Sequence, residues 1–248
     1  MGKIITVASG KGGTGKTTTV AAVSSCLAAL GHKTLCVDFD VGLRNLDFSL
    51  GMADFAVADF MDVIGGKQEL QNVCHESPLI GNLFFLSAPL HFSGIDPDES
   101  AIEDMYREIR SEFDYCFIDS PAGIGRYFRF AHAGADMAII VTIGELPSIT
   151  GAQKTATEIR DMGVEELRLL VNRVVSKKYY RLQTTIDDII DTVGARLIGV
   201  VREDESVALS LHNGTPLILY KRRLAAYDFL DVARRLTGED VPLRPLKP

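Results

Sequence analysis

The sequence predicts an α/β protein: a doubly wound, mostly parallel sheet with helices on both faces. Three observations lead there. Short β-rich runs alternate with helical patterns along the chain, and strand–helix–strand repeats imply right-handed crossovers. Several runs are continuously apolar, as in Ala138-Ile139-Ile140-Val141, the pattern of strands buried on both faces of a parallel sheet. A glycine-rich turn directly follows the first strand.

Strands are expected at Ile4–Ala8, Thr34–Asp38, Leu83–Ser87, Tyr115–Asp119, Met137–Thr142, Leu167–Asn172, Leu197–Val201 and Pro216–Leu219. Helices are expected at Lys16–Leu30, Ala101–Glu112, Ile149–Met162, Tyr180–Val193, Ser206–His212 and Leu224–Leu236. Gly31 and Gly163 fall just past helix ends, where a left-handed residue closes the last turn. Residues 50–82 are less regular and carry short helices with a turn at Gly65-Gly66. Residues 238–248 hold Pro242, Pro245 and Pro248, a density that prevents a helix, so this tail is expected to be irregular. No linker rich in Pro, Gly or Ser divides residues 1–248, which are read as a single domain.

The chain has 248 residues, 46% hydrophobic and 24% charged, enough for a full core and unlike disordered, collagenous or coiled-coil sequences. Its net charge of −7 argues against bulk nucleic-acid binding. The densest basic runs, Lys177-Lys178 with Arg181 and Lys221-Arg222-Arg223, read as solvated helix ends. Cys26, Cys36, Cys74 and Cys116 form no CxxC pair and are expected as free thiols in a reducing compartment. The chain enters its first strand at once, and no run reaches the ~20 apolar residues of a spanning helix. A cytoplasmic location is expected, with peripheral contact at the inner membrane face as the outer bound.

Residues 9–18 read Ser-Gly-Lys-Gly-Gly-Thr-Gly-Lys-Thr-Thr. Gly10, four residues, then Gly15-Lys16-Thr17 is the Walker A spacing, here between a buried strand and a helix, as that motif requires. Glycines let the backbone curl so that successive N–H groups face an anion, and the helix adds its positive end. The cradle runs from Gly10 through Lys11, Gly12, Gly13, Thr14, Gly15, Lys16 and Thr17 to Thr18. Lys16 is placed on the β- and γ-phosphates and the Thr17 hydroxyl on Mg²⁺. Lys11 cannot share the Lys16 pocket without repulsion, which leaves a phosphate across a subunit boundary as one place it could reach.

Two carboxylate groups follow later strands, where ligands of open α/β sheets bind. Asp119 ends an apolar strand, the Walker B arrangement, with its carboxylate near Mg²⁺. Asp40, in Val37-Asp38-Phe39-Asp40, orients the attacking water or helps hold the metal. A lone Asp at a strand end is more often a cap or turn former; two of them beside a phosphate loop favour the metal reading. Gly123 allows a backbone N–H to approach the γ-phosphate. Asn172 and Arg173, after the strand Leu167–Asn172, fit either a base contact or an ordinary loop.

Lys11–Thr18, KGGTGKTT, resembles the deviant Walker A box of the MinD/ParA family. VDFDVGLRNLD resembles that family's switch I, IDSPAGI its switch II, and GVVREDESVALSLHNGTPL the stretch that closes over the base. The resemblance covers Ile4 to about Pro242. It implies a P-loop NTPase fold, ATP and ADP as ligands with Mg²⁺, and slow, partner-stimulated ATP hydrolysis. It implies an ATP-dependent homodimer in which Lys11 reaches the nucleotide of the other subunit. It places Asn172, Arg173, Arg202, Glu203 and Asp204 around adenine, with Arg202 where proline is usual. The function implied is regulation of the septum or division site. A ParA-type DNA-partition ATPase and a flagellar-number regulator are the alternatives. A cluster-bearing electron carrier with the same loop would need a cysteine near the switch, which Cys74 and Cys116 do not supply.

The sequence also departs from the family. Gly125 and Arg126 follow the SPAGI segment where an acidic residue is usual. Ile143-Gly144-Glu145-Leu146-Pro147 replaces a Pro-Glu turn, and Gly151-Ala152-Gln153-Lys154 replaces an acidic run. These positions flank the dimer face, so a protein partner is expected there while pairing with the standard activator MinE is in doubt. The family's basic amphipathic tail helix is replaced by the proline-rich tail, so membrane contact is expected to be weak or absent.

Overall fold

The computed structural model describes residues 1–41, 45–53, 58–90, 98–121, 123–175, 184–220 and 223–246. Strand β1 (Lys3–Ala8) lies inside an eight-stranded sheet with β2 (Thr34–Asp38), β3 (His75–Glu76), β4 (Leu83–Leu86), β5 (Tyr115–Asp119), β6 (Met137–Thr142), β7 (Glu166–Val174) and β8 (Arg196–Arg202). The order is β3-β4-β2-β5-β1-β6-β7-β8. Every pairing is parallel except the short antiparallel β3–β4 edge.

Side chains of β1 alternate between the faces, as the pleat dictates. Ile5 and Val7 join one core cluster with Val20 and Leu27 of α1 (Lys16–Ala29). Phe229 and Val232 of the last helix (Leu224–Leu236) complete that layer. Ile4 packs on the other face with Ile102 and Ile109 of the helix Glu99–Glu112, and Ala8 with Ile149 and Ala156 of the helix Leu146–Asp161. Gly31 and Gly163 take positive φ, +98° and +92°, closing their helices as expected.

The structure corrects the expected strand Pro216–Leu219, which is the short helix Leu217–Tyr220. A four-residue apolar run cannot be assigned by periodicity. Here the Pro216 carbonyl accepts from the amides of Leu219 and Tyr220 at 2.9 and 3.1 Å, turning the run into one helical turn that buries Leu217 and Ile218. The helix Arg126–Ala133 and the edge strand His75–Glu76 were not expected. The helix expected from Ile149 begins earlier, at Leu146, with Pro147 in its first turn, where a missing N–H costs nothing. Of the helix expected at Tyr180–Val193, the described part is Ile186–Val193, started by a capping box between Thr185 and Asp188; residues 180–183 lie outside the described residues, as do Lys177, Lys178, Arg181, Lys221 and Arg222.

Residues 239–246 form neither helix nor strand. They fold back along the last helix: Arg235 donates to the carbonyls of Val241 and Pro242 at 2.8 and 2.9 Å. Arg244 grips Asp231 in bidentate fashion at 2.6 and 2.9 Å. The four cysteines are thiols not joined in disulfides, with Cys26, Cys36 and Cys116 buried.

Candidate functional site

The site lies at the carboxyl end of the central strands. Asp119 of β5 sits in register with Val7 of β1 and with Asp38 of β2, so the three chains leave the sheet at one level. Beyond β1, Gly13 and Gly15 take φ of +80° and +95°, the left-handed region open to glycine. Gly15 leads into α1 with no side-chain cap on the helix, leaving its first amides free for an anion.

Lys16 and Thr17 both reach Asp119. The Thr17 hydroxyl donates to one carboxylate oxygen at 2.5 Å, and the Lys16 ammonium lies 3.3 Å from the other. Burial pushes the Asp119 carboxyl above its ordinary range, and Lys16 opposes that shift. Asp38 is also buried. Burial, then the neighbouring Asp119 charge, pushes it up to about 7. One of its oxygens accepts from the Asp40 amide at 2.8 Å and the other has no partner among the described residues.

A cleft of about 640 Å³ opens over the loop, lined by residues 12–18 and by Asp40, Asn45, Phe48, Ser49 and Leu211. A second pocket of about 320 Å³ adjoins it, with Arg173, Arg202, Glu203, Asp204 and Phe229 in its wall. Larger than the second is a hollow between the helices Glu99–Glu112 and Arg126–Ala133, of about 530 Å³, which touches no residue of the phosphate loop.

Gly10, Lys11, Gly12, Gly13, Thr14, Gly15, Lys16, Thr17, Thr18, Asp40 and Asp119 thus converge at one end of the sheet. Lys11 stands on the rim, half exposed, 3.5 Å from Glu145. Gly123 has φ +86°, so the turn after Asp119 depends on glycine; Ala122 beside it lies outside the described residues. The residues expected around adenine are engaged with protein. Asn172 donates to the Thr14 carbonyl at 2.8 Å. The Arg173 guanidinium pairs with Glu203 at 2.8 and 3.3 Å. Arg202 grips Asp228 at 2.8 and 2.6 Å, and Asp204 caps the helix Glu205–His212 through the Ser206 amide at 2.9 Å. The sequence gives Asp38 no role of its own, and Glu145 only a place on the expected dimer face. The signal for Asp38 was present in Val37-Asp38-Phe39-Asp40, where alternate residues of an extended segment share a face.

The donor set fits a magnesium-bound triphosphate. Thr14 Oγ1, Asp38 Oδ2 and Ser120 Oγ are buried without partners among the described residues, and buried polar atoms require them. Among the described residues no cluster of three His, Cys, Asp or Glu side chains could hold a metal by itself. Mg²⁺ takes one or two protein oxygens and completes its shell with phosphate and water, and Thr17 and Asp119 stand together to offer such oxygens.

A phosphate loop at the head of a parallel sheet, its threonine bonded to a strand-end aspartate, defines a P-loop ATPase. The profile of a family described as an AAA domain matches residues 2–170. The chain is 34% identical over 252 residues to the septum site-determining protein MinD of Bacillus subtilis (strain 168), with 100% of this chain and 93% of that one covered. Its fold superposes with a TM-score of 0.91 on a chain of the MinC:MinD cell division protein complex of Aquifex aeolicus, at 33% identity and 98% coverage of each. With MinD of Pyrococcus horikoshii OT3 complexed with Mg-ADP the TM-score is 0.83, at 28% identity and coverage of 95% and 96%. The chain belongs to the MinD/ParA family of ATPases.

Proposed function

We propose that this protein is a Mg-ATP-dependent dimerising switch acting in placement of the division septum, the role that its relatives' names carry. The observation that supports this most directly is the division of labour between two lysines of one loop. Lys16 is inside, against buried Asp119. Lys11 is outside, half exposed beside Glu145, where a second copy of the chain could meet it.

The loop amides and Lys16 bind the β- and γ-phosphates, and Thr17 and Asp119, with Asp40, hold Mg²⁺. The ion, when bound, neutralises phosphate charge. Asp40, on the cleft wall, orients the attacking water. Gly123 brings a backbone N–H toward the γ-phosphate. Lys11 of a second copy offsets charge developing in the transition state, as an arginine finger would. The pocket walled by Arg173, Arg202, Glu203 and Asp204 takes adenine, beside Asn172. Hydrolysis is slow until a protein partner docks on the dimer surface around Glu145 and Gly125. The replacement of the usual acidic residues there argues against pairing with MinE and leaves the partner's identity open. Residues 239–246 lie along the last helix through Arg235 and Arg244, and among the described residues no helix is long and apolar enough to cross a membrane; membrane contact is weak or absent, and at most peripheral. Residues 1–248 act as one domain.

Size-exclusion chromatography with light scattering tests the switch. Wild type should double in mass with ATP and not with ADP. Lys16→Ala should lose nucleotide binding, Lys11→Ala should bind ADP and stay monomeric with ATP, and Asp40→Ala should dimerise with ATP without turnover. Normal ATP-driven dimerisation of Lys11→Ala would refute the trans role.

A further inference from the structure

The amide of Asn172 is built into the phosphate loop. Strand β7 pairs Val171 with Val200 and Val174 with Arg202. Asn172 and Arg173 therefore stand opposite the single residue Val201, which is a β-bulge. Bulges re-aim side chains beside active sites. This one holds Arg173 at φ +55°, a left-handed conformation that a non-glycine residue adopts only where its surroundings enforce it. The enforcing contact is local: the Arg173 amide donates to Asn172 Oδ1 at 2.9 Å. The other end of the same side chain, Nδ2, donates to the Thr14 carbonyl at 2.8 Å. Asn172 is buried and lies so close to the loop that a Cβ on Gly15 would come within 2.2 Å of Nδ2.

The Thr14 peptide explains why such a donor is needed. A loop that turns successive N–H groups toward an anion must turn carbonyls away from it. A carbonyl turned into buried surroundings needs a donor of its own. We propose that Asn172 is a positioning residue that fixes the Thr14–Gly15 peptide in its phosphate-binding orientation, acting on every phosphate ligand whatever base it carries. Without the latch the peptide is free to rotate and present its carbonyl oxygen to the phosphates. This inference rests on the phosphate-site reading above, and it assigns Asn172 a role that base contact would not predict.

Titration calorimetry with Mg²⁺ and three probes separates the roles: ADP, GDP and inorganic tripolyphosphate, which has no base. Asn172→Ala should weaken all three by the same factor, about tenfold for a buried acceptor left unsatisfied. Asn172→Asp has the same shape and keeps the acceptor for the Arg173 amide but has no donor for Thr14. Its carboxylate also adds a negative charge beside the phosphates, so it should lose at least as much with all three probes, and wild-type binding by Asn172→Asp overturns the latch. Asn172→Asp also serves if Asn172→Ala does not fold. A loss confined to ADP, with tripolyphosphate unchanged, overturns the latch in favour of base reading, and no loss with any probe overturns it too. Failure of wild type to bind ADP would overturn the phosphate-site reading itself, and the latch with it.

Discussion

His132 provides a quantitative test of the packing behind the Asp119 loop. It lies on the helix Arg126–Ala133, 1% exposed, with its ring 4.3 Å from that of Phe128. Its Nδ1 donates to the Phe128 carbonyl at 2.7 Å, which fixes the neutral tautomer with the proton on Nδ1, and Nε2 has no partner. Burial pushes its pKa from 6.5 down to about 4, against the pull of the Phe128 carbonyl. A histidine depressed in the folded state stabilises the fold above its unfolded pKa, and that stability is lost as pH falls toward the folded value. Complete loss amounts to about 3.4 kcal/mol at 1.36 kcal/mol per pH unit, of which about 2 kcal/mol has gone by pH 5. Urea unfolding of nucleotide-free wild type and of His132→Leu, at pH 7.5 and pH 5, measures it. Other titrating groups act alike in both proteins, so the wild type should lose about 2 kcal/mol more than the variant on acidification. Equal losses in the two proteins would show that His132 is not buried neutral, and the packing described for this helix would be wrong.

Two further substitutions probe the frame of the site. A Cβ on Gly10 would lie 1.9 Å from the Gly151 carbonyl carbon, and neither backbone can yield. Gly10→Ala should therefore displace the phosphate loop and abolish ADP binding in calorimetry, while retaining a cooperative melt. Arg244→Ala removes the grip on Asp231 and the stacking 5.2 Å over Tyr227. Because Arg244 is half exposed, about 1 kcal/mol and a Tm fall of roughly 2–4 °C are expected. Limited proteolysis should then cut residues 239–246 faster, with ATP hydrolysis unchanged.

Elements whose signal is local were legible in the sequence. Continuous apolar runs located β1, β2, β5 and β6, and Gly15-Lys16-Thr17 located the start of α1. Where the signal was weak or long-range, reading failed. Arg126–Ala133 mixes arginines with aromatics, and its apolar positions acquire meaning only once Phe128, Phe130 and Ala131 meet the cores beneath them. Leu217-Ile218-Leu219 is too short for its period to show. In the site, motif spacing singled out Lys16 and Thr17, and the end of an apolar strand singled out Asp119, which the structure brings together. The engagements of Asn172, Arg202 and Asp204 were invisible because their partners, Thr14, Asp228 and the Ala225 amide, lie far away in sequence or carry no motif.

Strand parity explains why the carboxylates meet the loop. Phe117 and Cys36 belong to the core cluster that contains α1, so two residues further along β5 and β2 the pleat brings Asp119 and Asp38 to that same face. Phe39, between Asp38 and Asp40, goes to the opposite face, where its ring stacks on Phe60 at 4.5 Å. The apolar demand of Phe39 thereby holds Asp38 and returns Asp40 to the side of Lys16 and Thr17. A single-residue insertion within β5 would reverse this parity, carrying Asp119 away from both α1 residues while leaving the Walker A loop itself intact. The phosphate loop is thus a local property of residues 10–18, whereas the face that carries Asp119 and Asp38 depends on the sheet register that joins distant segments.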